Sequence, residues 1–293
     1  MPTVNVRPSA LAGSWYPESP QALRQLAAGL LAGAEPRRLP PGRPVVLMVP
    51  HAGYAYSGRV AGRGWGLLRG LVSGYRRIVI LAPNHHAALA RISTPRWDAY
   101  ATPLGEVPLD RAACARVAHN ASFTEDTHAH AREHAEEIQL PLLQALTADP
   151  PPIVPLLVPR LSRALRYVAA EALAPWCDGA TLFVVSTDLT HYGAMYGYVP
   201  FRDRVPERLR ELDQGVLDAF LAWDAEALLA HAQRTGITMC GLEAAALVMS
   251  LPWPQRPRAA VVDYARSADR DGDFSLSVSY AAAVACLPAP VGS

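Results

Sequence analysis

Nine histidines, four cysteines and no lysine set the chemistry open to this 293-residue chain. Three of the histidines share a context. Residues 45–49 (VVLMV) form an apolar run that Pro50 ends, and His51 follows. Residues 78–82 (IVILA) lead through Pro83 and Asn84 into His85 and His86. Residues 182–186 (LFVVS) lead through Thr187, Asp188, Leu189 and Thr190 into His191. Short apolar runs with β-branched residues, bounded by Pro or Gly, predict strands buried on both faces of a parallel sheet. Pro50 has no N–H for a ladder, so the first strand ends there. Each histidine then emerges at a strand's carboxyl edge, where open α/β sheets bind ligands. Neutral imidazoles gathered at one rim can ligate iron, copper or zinc, and one can act as a base near neutral pH. An idle loop histidine is the plain alternative for any one of them, but three at equivalent strand ends favour a shared site. His86 is expected to point away, because neighbours on extended backbone face opposite sides. Asp188, three residues before His191, can orient that imidazole or cap the following turn.

Cys240 stands just before residues 241–251, an apolar segment that reads as a helix. A thiol near a helix N-terminus has its pKa lowered, which favours the thiolate that metals bind. The competing reading is a small buried apolar residue, and Cys114, Cys177 and Cys286 follow it. Residues 130–134 spell H-x-x-E-H, an inverted zinc-peptidase signature that needs one helix and a further carboxylate ligand. The helical signal fades ahead of Glu133, so surface or supporting histidines are expected there instead. Trp15, Tyr16, Tyr54, Tyr56 and Tyr192 put aromatic bulk near the same rim, either to floor a pocket for a planar ligand or to cover the sheet edge.

The elements that must position these residues alternate along the chain. Leu23, Leu26, Leu30 and Leu31 predict a helix over residues 21–32, and Gly33 ends it. A Pro/Arg-rich connector at residues 37–43 precedes the first strand. Residues 58–71 read as a crossover helix whose glycines (64, 66 and 70) are wrongly spaced for dinucleotide binding and suit close helix packing. Further helices are expected at residues 109–119, 136–148, 162–173, 207–221, 225–233 and 241–251, and strands at 153–158, 259–265 and 276–285. Strands alternating with helices predict a single α/β domain across residues 1–293, with a largely parallel central sheet flanked by helices.

Bulk composition excludes several classes. With 51% hydrophobic and 18% charged residues, the chain is core-rich rather than disordered. A net charge of +1 argues against dependence on nucleic acid or an anionic membrane surface. Without lysine there is no Schiff-base chemistry and no Walker A loop. Four dispersed cysteines with no C-x-x-C pair make neither a disulfide framework nor a zinc ribbon. No apolar run reaches the ~18 residues of a membrane span, and the start of the chain lacks a secretory apolar segment. A reduced cytoplasm is the expected compartment.

In order, these motifs resemble the Memo family, whose bacterial members are called AmmeMemoRadiSam system protein B. The resemblance spans nearly the whole chain. It covers Ala12-Gly13-Ser14-Trp15-Tyr16-Pro17, Pro50-His51-Ala52-Gly53-Tyr54 and Pro83-Asn84-His85-His86, then Glu133-His134 with Glu137. It continues through Ser186-Thr187-Asp188 with His191-Tyr192, Thr238 with Cys240-Gly241, and Val278-Ser279-Tyr280-Ala281. The family resemblance implies an α/β fold similar to the class III extradiol dioxygenases, which use non-haem iron to open catechol-type rings. It further implies His51, His85 and Cys240 as metal ligands and His191 as the acid/base. Tyr54, Asp188, Tyr192, His134, Glu137 and Trp15 are expected around them as pocket or supporting residues. The dioxygenases use a carboxylate where Cys240 would stand; two histidines plus a thiolate are compatible with Fe(II), Cu or Zn, and the Irving–Williams order favours Cu where supply allows, while the resemblance implies Fe(II) first. Fold alone does not license ring cleavage. The implied function is therefore a metal-binding protein that oxidises a small planar or phenolic ligand. The alternative is a non-catalytic adaptor or metal carrier that takes a small molecule or peptide in the same cleft. A radical-SAM protein and a third companion are the partners that the family name implies.

Overall fold

The computed structural model describes residues 5–36 and 39–289; Arg37 and Arg38 of the expected connector lie outside that range. Its strands are β1 (Val6–Arg7), β2 (Arg43–Val49), β3 (Arg77–Ala82), β4 (Ile92–Thr94), β5 (Ala99–Thr102) and β6 (Gly105–Pro108). They continue with β7 (Phe123–Glu125), β8 (Ile153–Leu157), β9 (Thr181–Ser186), β10 (His191–Gly193), β11 (Arg258–Arg266) and β12 (Leu276–Leu287). The main sheet runs β10-β12-β2-β9-β3-β8-β4-β7, and β11 also pairs with β12. Its centre, β2-β9-β3-β8, is parallel throughout. All six residues of β3 and of β9 are buried, as unbroken apolar runs require of strands covered on both faces.

The flanks differ from a purely parallel sheet. β12 pairs antiparallel with β2, β10 and β11, and β4 pairs antiparallel with β8. For β11 and β12 connection length is a cause, since residues 267–275 are too few for the crossover that parallel pairing needs. The three- and four-residue strands β4 to β7 are too short to show a period of two, so pattern alone does not find them.

Close helix packing explains Gly66 among the expected glycines; Gly64 instead lies against Val49 and Ala282 of the sheet, and Gly70 takes a positive φ of 76° in open space. In α1 (Pro20–Leu31) Ser19 caps the first turn by accepting from Ala22 N–H. In α2 (Tyr54–Gly66) a Cβ at Gly62 would lie 2.6 Å from the Leu30 carbonyl, and one at Gly66 would lie 2.5 Å from the Leu31 carbonyl oxygen. The glycines let the two backbones touch, and no nucleotide loop is formed. Trp65 of α2 is fully buried and donates its indole N–H to Gln139 Oε1 at 2.9 Å. The helix expected at residues 136–148 is two short ones, His134–Glu137 and Leu140–Leu146. Pro141 supplies no N–H to continue the first and opens the second. One continuous apolar core runs beneath both faces of the sheet.

Candidate metal centre

Strand order brings the histidines together. β9 lies between β2 and β3, so the segments leaving the three strands are neighbours at one rim. His51 follows β2 and is 2% exposed. Asp188, in the loop after β9, accepts its backbone N–H at 2.9 Å. The His51 tautomer can be worked out from its contacts. Ser186 Oγ donates to the Ala135 carbonyl at 2.6 Å and accepts from Gln139 Nε2 at 2.9 Å, so it has only a lone pair for His51 Nδ1, 3.2 Å away. Nδ1 therefore carries the proton and Nε2 is left as a lone pair. Burial, and next the neighbouring His85, hold the pKa of His51 at about 3, so the ring is neutral at physiological pH.

His85 follows β3 and is fixed in the same way. Its Nδ1 lies 2.8 Å from Glu133 Oε1, and its backbone N–H donates to Oε2 at 2.9 Å. A carboxylate at this oxygen only accepts, so Nδ1 is protonated and Nε2 is free. Burial alone would raise the pKa of Glu133, but the hydrogen bond and charge of His85 win and hold it at about 2. His134, at the start of its short helix, stacks on His85 with ring centroids 4.4 Å apart, and its pKa is also lowered to about 3 by burial and then by His51. One donor atom each from His51, His85 and His134 lies within 4.8 Å of the others. An imidazole with one nitrogen tied, as in His51 and His85, presents the other to a divalent metal, and burial keeps His51 and His134 in the neutral form that binds one. These residues fit a bound ion.

Cys240 departs from expectation in two ways. Its Sγ sits 3.2 Å from His51 Nε2 and accepts the Asp188 N–H at 3.2 Å, yet it belongs to no group of three donors within 4.8 Å among the described residues. The following Gly241 N–H donates to Thr187 Oγ1 at 2.8 Å, which ties this turn to the β9 loop rather than to His85. Its pKa is raised rather than lowered, first by burial and then by the Asp188 charge. The helix here begins at Leu242, and its dipole does not overcome that burial. Donors bonded to one ion at about 2.1 and 2.3 Å lie at most about 4.4 Å apart, so Sγ here meets His51 alone of the three rings and would have to shift toward His85 and His134 to share their ion.

His191 faces the same cavity from the start of β10. Its Nδ1 lies 3.1 Å from the Thr238 carbonyl and 3.2 Å from that of Leu189. Carbonyls only accept, so Nδ1–H is protonated and Nε2 is an available base, 4.0 Å from Asp188 Oδ2. The same carboxylate oxygen is 4.0 Å from His51 Nε2, so Asp188 stands between the two rings. Burial raises its pKa above the ordinary carboxylate range.

The cavity holds about 640 Å³ and is lined by His51, His85, His134, Asp188 and His191, with aromatic walls from Trp15, Tyr56, Tyr196 and Tyr280. Trp15 packs against His134 with ring centroids 4.6 Å apart and planes tilted by 43°. Three of the expected aromatic residues do not line it: Tyr16, whose hydroxyl donates to Glu137, and two more. Tyr54 is buried and donates to the Ile138 carbonyl, and Tyr192 stacks on Phe201 and donates to its carbonyl. Polar tips satisfied inside the protein turn both rings away from the cleft. Glu137 is likewise a structural clamp. It is fully buried, pairs with buried Arg7, and accepts from Ser9 Oγ, the N–H groups of Ala10 and Leu11, and Tyr16 O–H. It holds the segment that carries Trp15.

The H-x-x-E-H run does not form a peptidase site. His130 ends one short helix and His134 begins another, and His130 is buried against Glu136 and Ser93. Glu133 and the donor role of His134 were missed by reasoning from strand ends; that motif and the family resemblance pointed to the pair, and the resemblance implied His134 only as a pocket or supporting residue. His86 does not turn away. Residues 85–87 form a bend closed by Asn84 Oδ1 accepting Ala87 N–H, so the alternation of a strand does not apply. Its ring centroid is 6.0 Å from that of His134.

The fold and this rim of imidazoles define an α/β protein with a preformed candidate metal centre. The chain belongs to the Memo family: the family model described as Memo-like protein matches residues 7–284. It is similar to a MEMO1 family protein of Aquifex aeolicus, 32% identical over 288 residues, covering 94% of this chain and 98% of the relative. A MEMO1 family protein of Methanopyrus kandleri is 31% identical over 290 residues, covering 95% and 98%. One from Thermotoga maritima is 30% identical over 292 residues, covering 95% and 99%. No helix among the described residues is long and apolar enough to cross a membrane.

Proposed function

We propose that this chain holds one divalent ion at His51, His85, His134 and Cys240 and presents it to a small planar, phenolic ligand, with Fe(II) the working metal and Cu or Zn able to replace it. The observation that supports this reading is the meeting of three imidazoles, each from a different chain segment, in one aromatic-walled cavity. Binding of the ion takes the thiol proton from Cys240, since a nearby cation favours the thiolate that burial disfavours. Fe(II) there would supply Lewis acidity toward a phenolic oxygen and electrons for reaction with dioxygen.

The chain's own residues do the rest. Trp15, Tyr56, Tyr196 and Tyr280 would hold a ring by its faces and edges, and a cavity of this size is typical of a small-molecule site. His191 Nε2 takes the phenolic proton, and Asp188 stabilises the imidazolium that results. Anaerobic reconstitution with Fe(II), followed by dioxygen uptake with catechol-like compounds, tests the activity. Turnover is expected, and His191→Ala should lower it by about 10²–10⁴-fold with the ion retained. A second reading, recognition of a peptide or partner in the same cleft without turnover, draws on the aromatic rings left open at its mouth: Trp15, Tyr56 and Tyr196 are 36%, 58% and 39% exposed. Ligand binding with no metal-dependent uptake would favour it.

A further inference from the structure

We propose that His86, Glu133 and His134 form an outer donor set that captures the ion from solvent and passes it to the His51 centre, with His134 serving both. The inference rests on the metal-binding reading above. One donor atom from each of these three residues lies within 4.8 Å of the others, a second such group beside the first. The two groups share one imidazole, so they are stations for a single ion rather than two independent sites.

Exposure sets the direction of travel. His86 is exposed, whereas His51 is 2% exposed at the base of the cleft. The ring nitrogens of His86 make no hydrogen bond among the described residues, so it can take a ligand without breaking a contact. Glu133 supplies the charge. A carboxylate has about four lone-pair directions, and three are used here, by His85 Nδ1, His85 N–H and Ala135 N–H. The fourth remains for an ion. Nδ1 of His134 lies 3.4 Å from Glu133 Oε1, which puts that edge of the ring on the outer side. His86 is the exposed member, where an ion can exchange its first water for a protein ligand, and Glu133 lies fully buried behind it with His134 between exposed and buried.

The test is stopped-flow loading of the full chain with Co(II), read by its d–d absorption, alongside equilibrium titration. An intermediate station changes rates and leaves the equilibrium alone. His86→Ala should therefore slow association and dissociation by the same factor, about tenfold or more as for local steering of ions, while the affinity and the final spectrum stay those of the parent. His86→Asp keeps a donor and should restore the rate. Loading of His86→Ala at the parent rate would overturn the relay and leave the metal centre standing. Two Co(II) ions bound per chain at equilibrium would overturn it too, by making the outer set a resident site. No Co(II) binding by the parent protein would remove both the centre and the relay.

Discussion

Replacing His51 with alanine is expected to lower the affinity for a divalent ion by more than about 100-fold, beyond the 10–100-fold typical of losing a supporting partner of a ligand. The ring is the hub of the centre. It lies beside Cys240, His85 and His134, and three residues fix its tautomer through Ser186. Ser186→Ala should weaken binding less, because it loosens the ring without removing the donor. Isothermal titration with Zn(II) measures both, and circular dichroism checks that the variants are folded. Affinity in His51→Ala equal to the parent's would place the ion elsewhere.

Glu137→Gln is expected to lose about 3–5 kcal/mol of stability, the usual cost of breaking one side of a buried ion pair. Both Glu137 and Arg7 are fully buried, and the carboxylate also receives two backbone N–H groups and two hydroxyls. An amide of the same shape would turn two donors toward this ring of donors and leave the guanidinium without its counter-charge. The melting temperature should fall by roughly 10 °C. Hydrogen exchange at the Ala10 and Leu11 amides should accelerate more than exchange in β9. A Glu137→Gln protein that melts with the parent and keeps those amides protected would show the clamp to be dispensable.

The central strands were legible because burial on both faces writes itself as an unbroken apolar run, and the residue after each run could be named as a rim residue. That logic found His51, His85, Asp188 and His191. It could not find Glu133 or His134, which reach the rim from short helices between β7 and β8, where neither a period nor a strand end marks them. Cys240 was marked by its place before an apolar helix and preferred as a ligand only through family resemblance, and its environment ran against the helix-dipole argument because burial is the larger effect. Tyr54 and Tyr192 had the right positions in the chain, but the direction of a side chain depends on where its hydroxyl finds an acceptor. His86 shows the same limit: alternation holds for strands, and the backbone there had already bent.

X-ray absorption at the metal edge of protein loaded with one equivalent of Zn(II) bears most directly on the centre itself. Three imidazole nitrogens at about 2.1 Å and one sulfur at about 2.3 Å are expected, with the sulfur lost in Cys240→Ala. A shell of oxygen donors with at most one imidazole and no sulfur would contradict the assignment of His51, His85, His134 and Cys240 to a single ion.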